Sequence, residues 1–220
     1  MANSMSGMKP MMISDWTPGY FLMMFVMWVI MMIGMMVPTV APTVLIYAAI
    51  ARKAANQGTP VAPTSAFVAG YIAMWTVFSL LATVAQFGLD KAALLSPMMV
   101  SKSPVLGAVL LVSAGVYQFL PLKNSCLKNC RSPVEFISTY WKNGVGGAFR
   151  MGLHHGVYCL GCCWVLMLLL FVGGVMNLLW IAIITAFVLL EKVLPMGDRG
   201  GKVFGALMIA VGVLFAIRAW

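Results

Sequence analysis

Long apolar runs constrain this chain more than any other feature of its sequence. Apolar stretches of 16 to 31 residues recur along its 220 residues. About 20 apolar residues are enough for an α-helix to cross the hydrocarbon core of a bilayer. Charged residues make up only 9% of the chain, whereas a soluble domain carries about 25%. Because so few charges cannot cover a folded surface in water, we expect an all-α membrane protein.

The spacing of these runs predicts a bundle of about six transmembrane helices. We divide the chain into a methionine-rich external tail at 1–19 and a six-span transmembrane domain at 20–220. The first span is too long for one straight crossing, so it must tilt, kink near its two prolines or continue along the interface. The predicted spans are 20–50, 66–87, 104–120, 151–172, 175–190 and 203–219.

The distribution of basic residues predicts the orientation of this bundle. Ten Lys and Arg residues fall on one side of the predicted spans and four on the side that carries both termini. By the positive-inside rule the first side is cytoplasmic, and both termini lie on the non-cytoplasmic side. All five cysteines then lie toward the reducing compartment. This placement favours free thiols or metal ligands over disulfides.

The strongest local motif is the run His155-Gly-Val-Tyr-Cys159-Leu-Gly-Cys162-Cys163 in the fourth span. Residues three and four apart share a helix face, so Cys159 lies beside Cys162 and Cys163, and His155 lies one turn earlier. Three thiols and an imidazole on neighbouring turns could bind Cu(I) or Zn(II). The alternative is that buried cysteines act as small apolar residues between helices.

Methionine is unusually abundant, with 20 residues in the chain. Thioethers bind Cu(I) in preference to harder ions, so a methionine ladder on the first helix could hold or pass this ion. Flexible core filling is the alternative. In the external tail, Met5, Met8, Met11 and Met12 could wrap a further Cu(I) ion. The candidate ligands on the first span are Met31, Met32, Met35 and Met36.

Two cysteines in the predicted cytoplasmic loop that follows the third span form a CxxxC motif. One helical turn separates Cys126 from Cys130, a spacing that suits linear Cu(I) coordination. Two ordinary interfacial thiols are the alternative. Glu191 ends the fifth span beside Lys192, and we expect its side chain to snorkel to the interface. No basic run interleaved with aromatic residues indicates a nucleic-acid partner.

The chain resembles a bacterial family catalogued as predicted metal-binding integral membrane proteins. The matching signatures are Ala114-Gly-Val-Tyr117-Gln118 through Cys126 and Cys130, the fourth-span motif continuing to Glu191-Lys192, and the methionine cluster that ends at Pro38. The resemblance implies a multi-pass protein of the bacterial inner membrane. Some members are proposed to be copper chaperones that load copper oxidases of the tyrosinase type.

Three functional hypotheses follow. The first is a non-enzymatic, membrane-embedded Cu(I) protein that acts as a copper chaperone or metalation factor, with zinc as a possible alternative metal. Its partners would be the lipid bilayer and an apo copper oxidase or another membrane subunit. The second is a membrane thiol oxidoreductase that uses Cys159 and Cys162 as a CxxC pair. The third is a metal-free accessory subunit of a membrane complex.

Overall fold

Every long apolar run of the sequence becomes a helix in the computed structural model, which describes residues 16–58, 62–96, 99–101, 103–193 and 197–218. Within these ranges the fold is all-α, as predicted, with no β-strand beyond one isolated bridge between Leu95 and Ser101. The methionines predicted to bind metal in the external tail lie outside the described residues. The helices are α1 Pro18–Asn56, α2 Thr64–Lys91, α3 Pro104–Tyr117, α4 Pro121–Arg131, α5 Pro133–Thr139, α6 Gly144–Leu168, α7 Leu170–Gly173, α8 Leu178–Val193 and α9 Gly197–Arg218.

The first helix is a single element of 39 residues. Pro18 at its start has no amide hydrogen that would need a hydrogen-bond acceptor. The Thr17 hydroxyl accepts a hydrogen bond from the Tyr20 amide, so the N-terminus of the helix is capped. The helix continues through Pro38 and Pro42. At 1.5 Å per residue it is about 58 Å long, nearly twice the thickness of a hydrocarbon core. Its length alone therefore requires tilt or an overhang beyond the bilayer.

Four segments of the described chain are long and apolar enough to cross a membrane: Pro18–Asn56, Thr64–Lys91, Gly144–Gly173 and Gly200–Ile217. The pair α3 and α4 passes the same test jointly but is bent by 66°. Helix α8 has 16 residues and is about 24 Å long, short of the usual span. The described fold therefore supports four or five crossings by length and composition, where the sequence predicted six.

Glycines bring α2 and α6 into backbone contact. A Cβ atom on Gly152 would lie 1.9 Å from the Phe67 carbonyl oxygen, and one on Gly70 would lie 2.0 Å from the Phe149 carbonyl oxygen. Only residues without a side chain permit this approach, which is how small residues drive helix association in membranes. The crossing places Tyr71, one residue beyond Gly70, against the cysteine-bearing face of α6.

The exterior of the bundle is apolar, whereas polar groups are gathered inside. Leu178 is 79% exposed and both Ile30 and Ile217 are 66% exposed. In contrast, Gln86, Lys123 and other hydrogen-bonding side chains are buried. A large apolar exterior suits lipid better than water. The interior polar groups fall into separate clusters, one of which surrounds the fourth-span cysteines.

Candidate metal centre

Cys159 on α6 is the meeting point of three other helices. Its side chain is 1% exposed. The Lys192 ammonium from the end of α8 lies 2.8 Å from its sulfur, and the Tyr71 hydroxyl from α2 lies 3.0 Å from the same atom. The Lys192 ammonium also donates to the Thr39 hydroxyl of α1 at 3.1 Å. One buried sulfur is thus placed beside a cation and a phenol in the bundle interior.

The other two α6 cysteines lie on the turn that follows Cys159, as their spacing predicts. The Cys162 and Cys163 thiols both donate to the Cys159 carbonyl oxygen at 3.0 Å. Both side chains are buried. Short polar side chains in helices often bond back to a carbonyl one turn earlier. This local bonding turns both thiols toward the backbone of their own helix.

Helix α4 adds a fourth thiol to the group. Cys130, which is partly buried, is placed against Cys159 and Cys162. Cys126, one turn earlier, lies against Gly161, where an added Cβ would come within 2.7 Å of its sulfur. The CxxxC motif therefore forms a helical turn, and both of its cysteines face α6. We call Cys130, Cys159, Cys162 and Cys163 the thiol cluster.

His155 lies one turn before Cys159, in an aromatic enclosure. Its side chain is 2% exposed. Its ring packs against Phe136 at a centroid distance of 4.8 Å and more loosely against Phe67 and Tyr71. The Nδ1 atom has no hydrogen-bond partner among the described residues. Since buried imidazole nitrogens are normally paired, this atom is a candidate ligand.

The methionines of α1 divide between two faces of the helix. Met32 and Met36 are fully buried. The Met36 carbonyl oxygen lies 3.2 Å from the same Tyr71 hydroxyl that contacts Cys159. Met31 and Met35 instead line a groove between α1 and α8, where Met31 is only partly buried. Of the four methionines predicted from the sequence, Met36 is therefore linked most directly to the thiol cluster.

Lys192 and Tyr71 belong to this centre, although neither was predicted from the sequence to lie at the metal site. The snorkelling expected of Glu191 is wrong, because its carboxylate is buried in a pair with the Lys123 ammonium. The neighbouring Lys192 side chain is directed inward, toward Cys159. The signals for Lys192 in the sequence are its position at the end of an apolar run and the Glu191-Lys192 pair that closes the second family signature. Lysine is rarely buried unless it is paired, so its contact with Cys159 is a functional indication.

Among the described residues, no group of three or more His, Cys, Asp and Glu side chains is arranged to hold a metal ion. The hydrogen bonds explain this arrangement. Two thiols are turned to a backbone carbonyl, and an ammonium group contacts the sulfur of Cys159. Rotation of the cysteine side chains and displacement of the ammonium would be needed before several sulfur atoms could share one ion.

Fold and site together define an all-α protein in which apolar helices of membrane-spanning length surround a buried group of thiols. The chain belongs to the PpoB2 copper chaperone family, whose family model matches residues 25–215. This match confirms the resemblance noted above. It includes every described ligand candidate, and its description names copper and gives no support to zinc. No curated protein and no solved structure matches the chain.

Proposed function

We propose that this chain is a membrane-embedded copper chaperone that binds Cu(I) at the thiol cluster and delivers it to an apo copper enzyme. The observation that carries this proposal is the convergence of Cys130 from α4 with Cys159 and Cys162 of α6. Thiolates select Cu(I) over harder ions. Membership of a copper chaperone family supports the same cargo.

The charges around Cys159 suit this cargo. A Cu(I) ion held by two thiolates carries a net charge of −1, and burial of an uncompensated charge is costly. The Lys192 ammonium, 2.8 Å from the Cys159 sulfur, supplies one positive charge to offset it. Cys159 and either Cys162 or Cys130 would be the primary ligands. His155 and the thioethers of Met32 and Met36 would provide further positions for the ion as it moves along the bundle.

The membrane topology is part of the proposal. The apolar exterior and the four long apolar helices support a multi-pass protein of the bacterial inner membrane. The bent pair α3 and α4, together with the short α8, would complete six crossings. The excess of basic residues on one side supports placement of both termini on the non-cytoplasmic side. A copper oxidase would then receive the ion at that outer face.

The test is copper content. We expect the full-length protein, purified in detergent under anaerobic and reducing conditions, to bind about one Cu(I) per chain at the thiol cluster, since its sulfur ligands suit one soft ion. Cys159→Ser with Cys162→Ser removes two of these ligands and should abolish that binding. Elemental mass spectrometry, with Cu(I) offered before gel filtration, measures the metal-to-protein ratio.

Cys126→Ser is the matched control, because Cys126 is on the same helix as Cys130 but packs against Gly161. It should retain copper, whereas Cys130→Ser removes one of the two candidates for the second thiolate and should bind copper more weakly. Unchanged copper in the Cys159→Ser, Cys162→Ser variant would refute the ligand assignment. Reversible loss of two thiols on oxidation, without any bound copper, would favour the thiol oxidoreductase instead.

A further inference from the structure

A second group of soft ligands lies near the N-terminal end of α1, far from the thiol cluster. The Gln86 side-chain amide donates hydrogen bonds to the Met99 sulfur at 3.1 Å and to the Met24 sulfur at 3.5 Å, and Cu(I) bound by the two sulfurs would replace these donors. The Gln86 oxygen accepts a hydrogen bond from the Trp28 indole at 2.6 Å, which fixes the orientation of the amide. Two thioethers from distant parts of the chain thus converge on one buried nitrogen.

The position of Met99 is enforced by its turn. Its backbone adopts φ 56°, in the left-handed region that side chains rarely occupy. The Met99 amide donates to the Ser96 carbonyl at 2.8 Å, and the Ser101 amide donates to the Phe171 carbonyl at 2.9 Å. These bonds tie the turn to α7 and hold Met99 inward, so that its side chain is only 8% exposed.

The inward face of α1 connects this group to the thiol cluster. Met24, Trp28, Met32 and Met36 follow one another at four-residue intervals, and none is more than 3% exposed. The distance along the helix from Met24 to Met36 is about 18 Å. Three buried thioethers and one indole therefore line the bundle interior between the two groups of soft ligands.

From this arrangement we infer that Met24 and Met99 form a second Cu(I) site, the thioether pair. Thioethers are neutral, so a Cu(I) ion held by the pair keeps its full charge of +1, and the pair binds more weakly than the thiol cluster. A weak site at the opposite end of the bundle interior is suited to exchange of the ion with a partner. The inference rests on the proposed function, since it takes Cu(I) as the cargo.

The experiment uses the full-length chain with all five cysteines replaced by serine and with Met5, Met8, Met11 and Met12 replaced by leucine, so that neither a thiol nor the N-terminal methionines bind the probe. Cu(I) is titrated anaerobically in competition with a chromophoric Cu(I) chelator, and X-ray absorption identifies sulfur neighbours. The expected result is one weakly bound Cu(I) with sulfur ligands. Met24→Leu with Met99→Leu should lower the affinity at least about tenfold, since loss of a mere supporting group already costs 10–100-fold. These changes nearly conserve side-chain volume.

Met23→Leu with Met176→Leu is the matched control, because both side chains are 55% exposed outside the bundle; this variant should bind Cu(I) like its parent. Binding that survives loss of Met24 and Met99, or no sulfur-coordinated Cu(I) in the cysteine-free chain, would overturn the inference. If the cysteine-free chain fails to fold, the same methionine pair is replaced in the wild-type chain, where the copper ratio should fall by one. An unchanged ratio there would also overturn it.

The copper chaperone proposal and the proposal of a thioether pair can be refuted independently. Loss of copper in the Cys159→Ser, Cys162→Ser variant depends on the thiol cluster alone. The effect of Met24→Leu with Met99→Leu is measured where those thiols are absent. A chain that binds copper at its cysteines but shows no thioether site would retain the proposed function and lose only the further inference.

Discussion

At the scale of single residues, Lys192 has the greatest influence on the candidate centre. Its side chain is 9% exposed, and its ammonium group contacts both the Cys159 sulfur and the Thr39 hydroxyl. Lysine is almost never buried without a partner. The partner of the Lys192 ammonium at this position is the Cys159 sulfur. Lys192 therefore serves as the positive charge of a centre that otherwise consists of thiols, a phenol and an imidazole.

We predict that Lys192→Met weakens Cu(I) binding by about 100-fold or more, because removal of one partner from a buried charge pair costs about 3–5 kcal/mol. The expected loss arises from the uncompensated charge of a copper bis-thiolate. Competition with a Cu(I) chelator measures the affinity. Lys192→Arg, which keeps the charge, should retain most of it. Equal binding by the methionine variant and the wild type would show that Lys192 does not act as a counter-ion.

At the scale of helices, the contact between α2 and α6 positions the site. Tyr71 and Cys159 are 88 residues apart in the chain, yet the phenol oxygen lies 3.0 Å from the thiol sulfur. This distance depends on the close approach at Gly70 and Gly152, where the backbones touch. The helices themselves follow from local apolar sequence, but their separation depends on which residues lack a side chain at the crossing.

We predict that Gly152→Ala destabilises the protein by about 1–3 kcal/mol, the usual cost of overpacking, and lowers copper binding. The new methyl group would lie 1.9 Å from the Phe67 carbonyl oxygen, so α2 and α6 must move apart. Thermal unfolding in detergent and the copper ratio measure the two effects.

Gly34→Ala is the matched control for this prediction. Gly34 also lies inside a long helix, but a Cβ atom there meets nothing within 4 Å. It should be neutral or slightly stabilising, because alanine is favoured over glycine in helices. Similar melting temperatures for the two variants would mean that the crossing tolerates a side chain.

At the scale of the whole molecule, a buried ion pair joins the bent segment to the rest of the bundle. The Lys123 ammonium at the start of α4 pairs with the Glu191 carboxylate of α8 and also contacts the Gln118 side chain. The two charged side chains are 2% and 7% exposed. Arg131, at the other end of α4, donates to the Glu191 carbonyl oxygen. Both ends of α4 are therefore held near the end of α8, which keeps Cys130 against α6.

We predict that Lys123→Met destabilises the protein by about 3–5 kcal/mol, since it leaves the Glu191 carboxylate buried without its partner. Copper binding should fall with it, because α4 carries Cys130. Lys123→Met combined with Glu191→Gln removes both charges and should recover most of the melting temperature. A double variant no more stable than the single one would show that the charges themselves do not maintain this contact.

Local sequence determined much of the site's composition. The spacing of Cys159, Cys162 and Cys163 placed their thiols on adjacent turns, where the structure has them. The CxxxC spacing likewise predicted one helical turn. Partners from other helices could not be derived in this way, because a contact such as that between Cys130 and Cys159 depends on the bend between α3 and α4. The burial of the Glu191 carboxylate was not foreseen for the same reason.

What the sequence determined by itself is the class of fold and the chemistry available to it: long apolar runs impose helices, and clustered cysteines and methionines impose soft ligands. Tertiary structure alone decided which of these ligands meet. Glycine contacts set the distance between α2 and α6, and a buried ion pair set the position of α4. The physical reason is the distance along the chain over which each interaction acts. Helix formation depends on neighbours within one or two turns. A site shared by five helices depends instead on packing between segments that are distant in the chain.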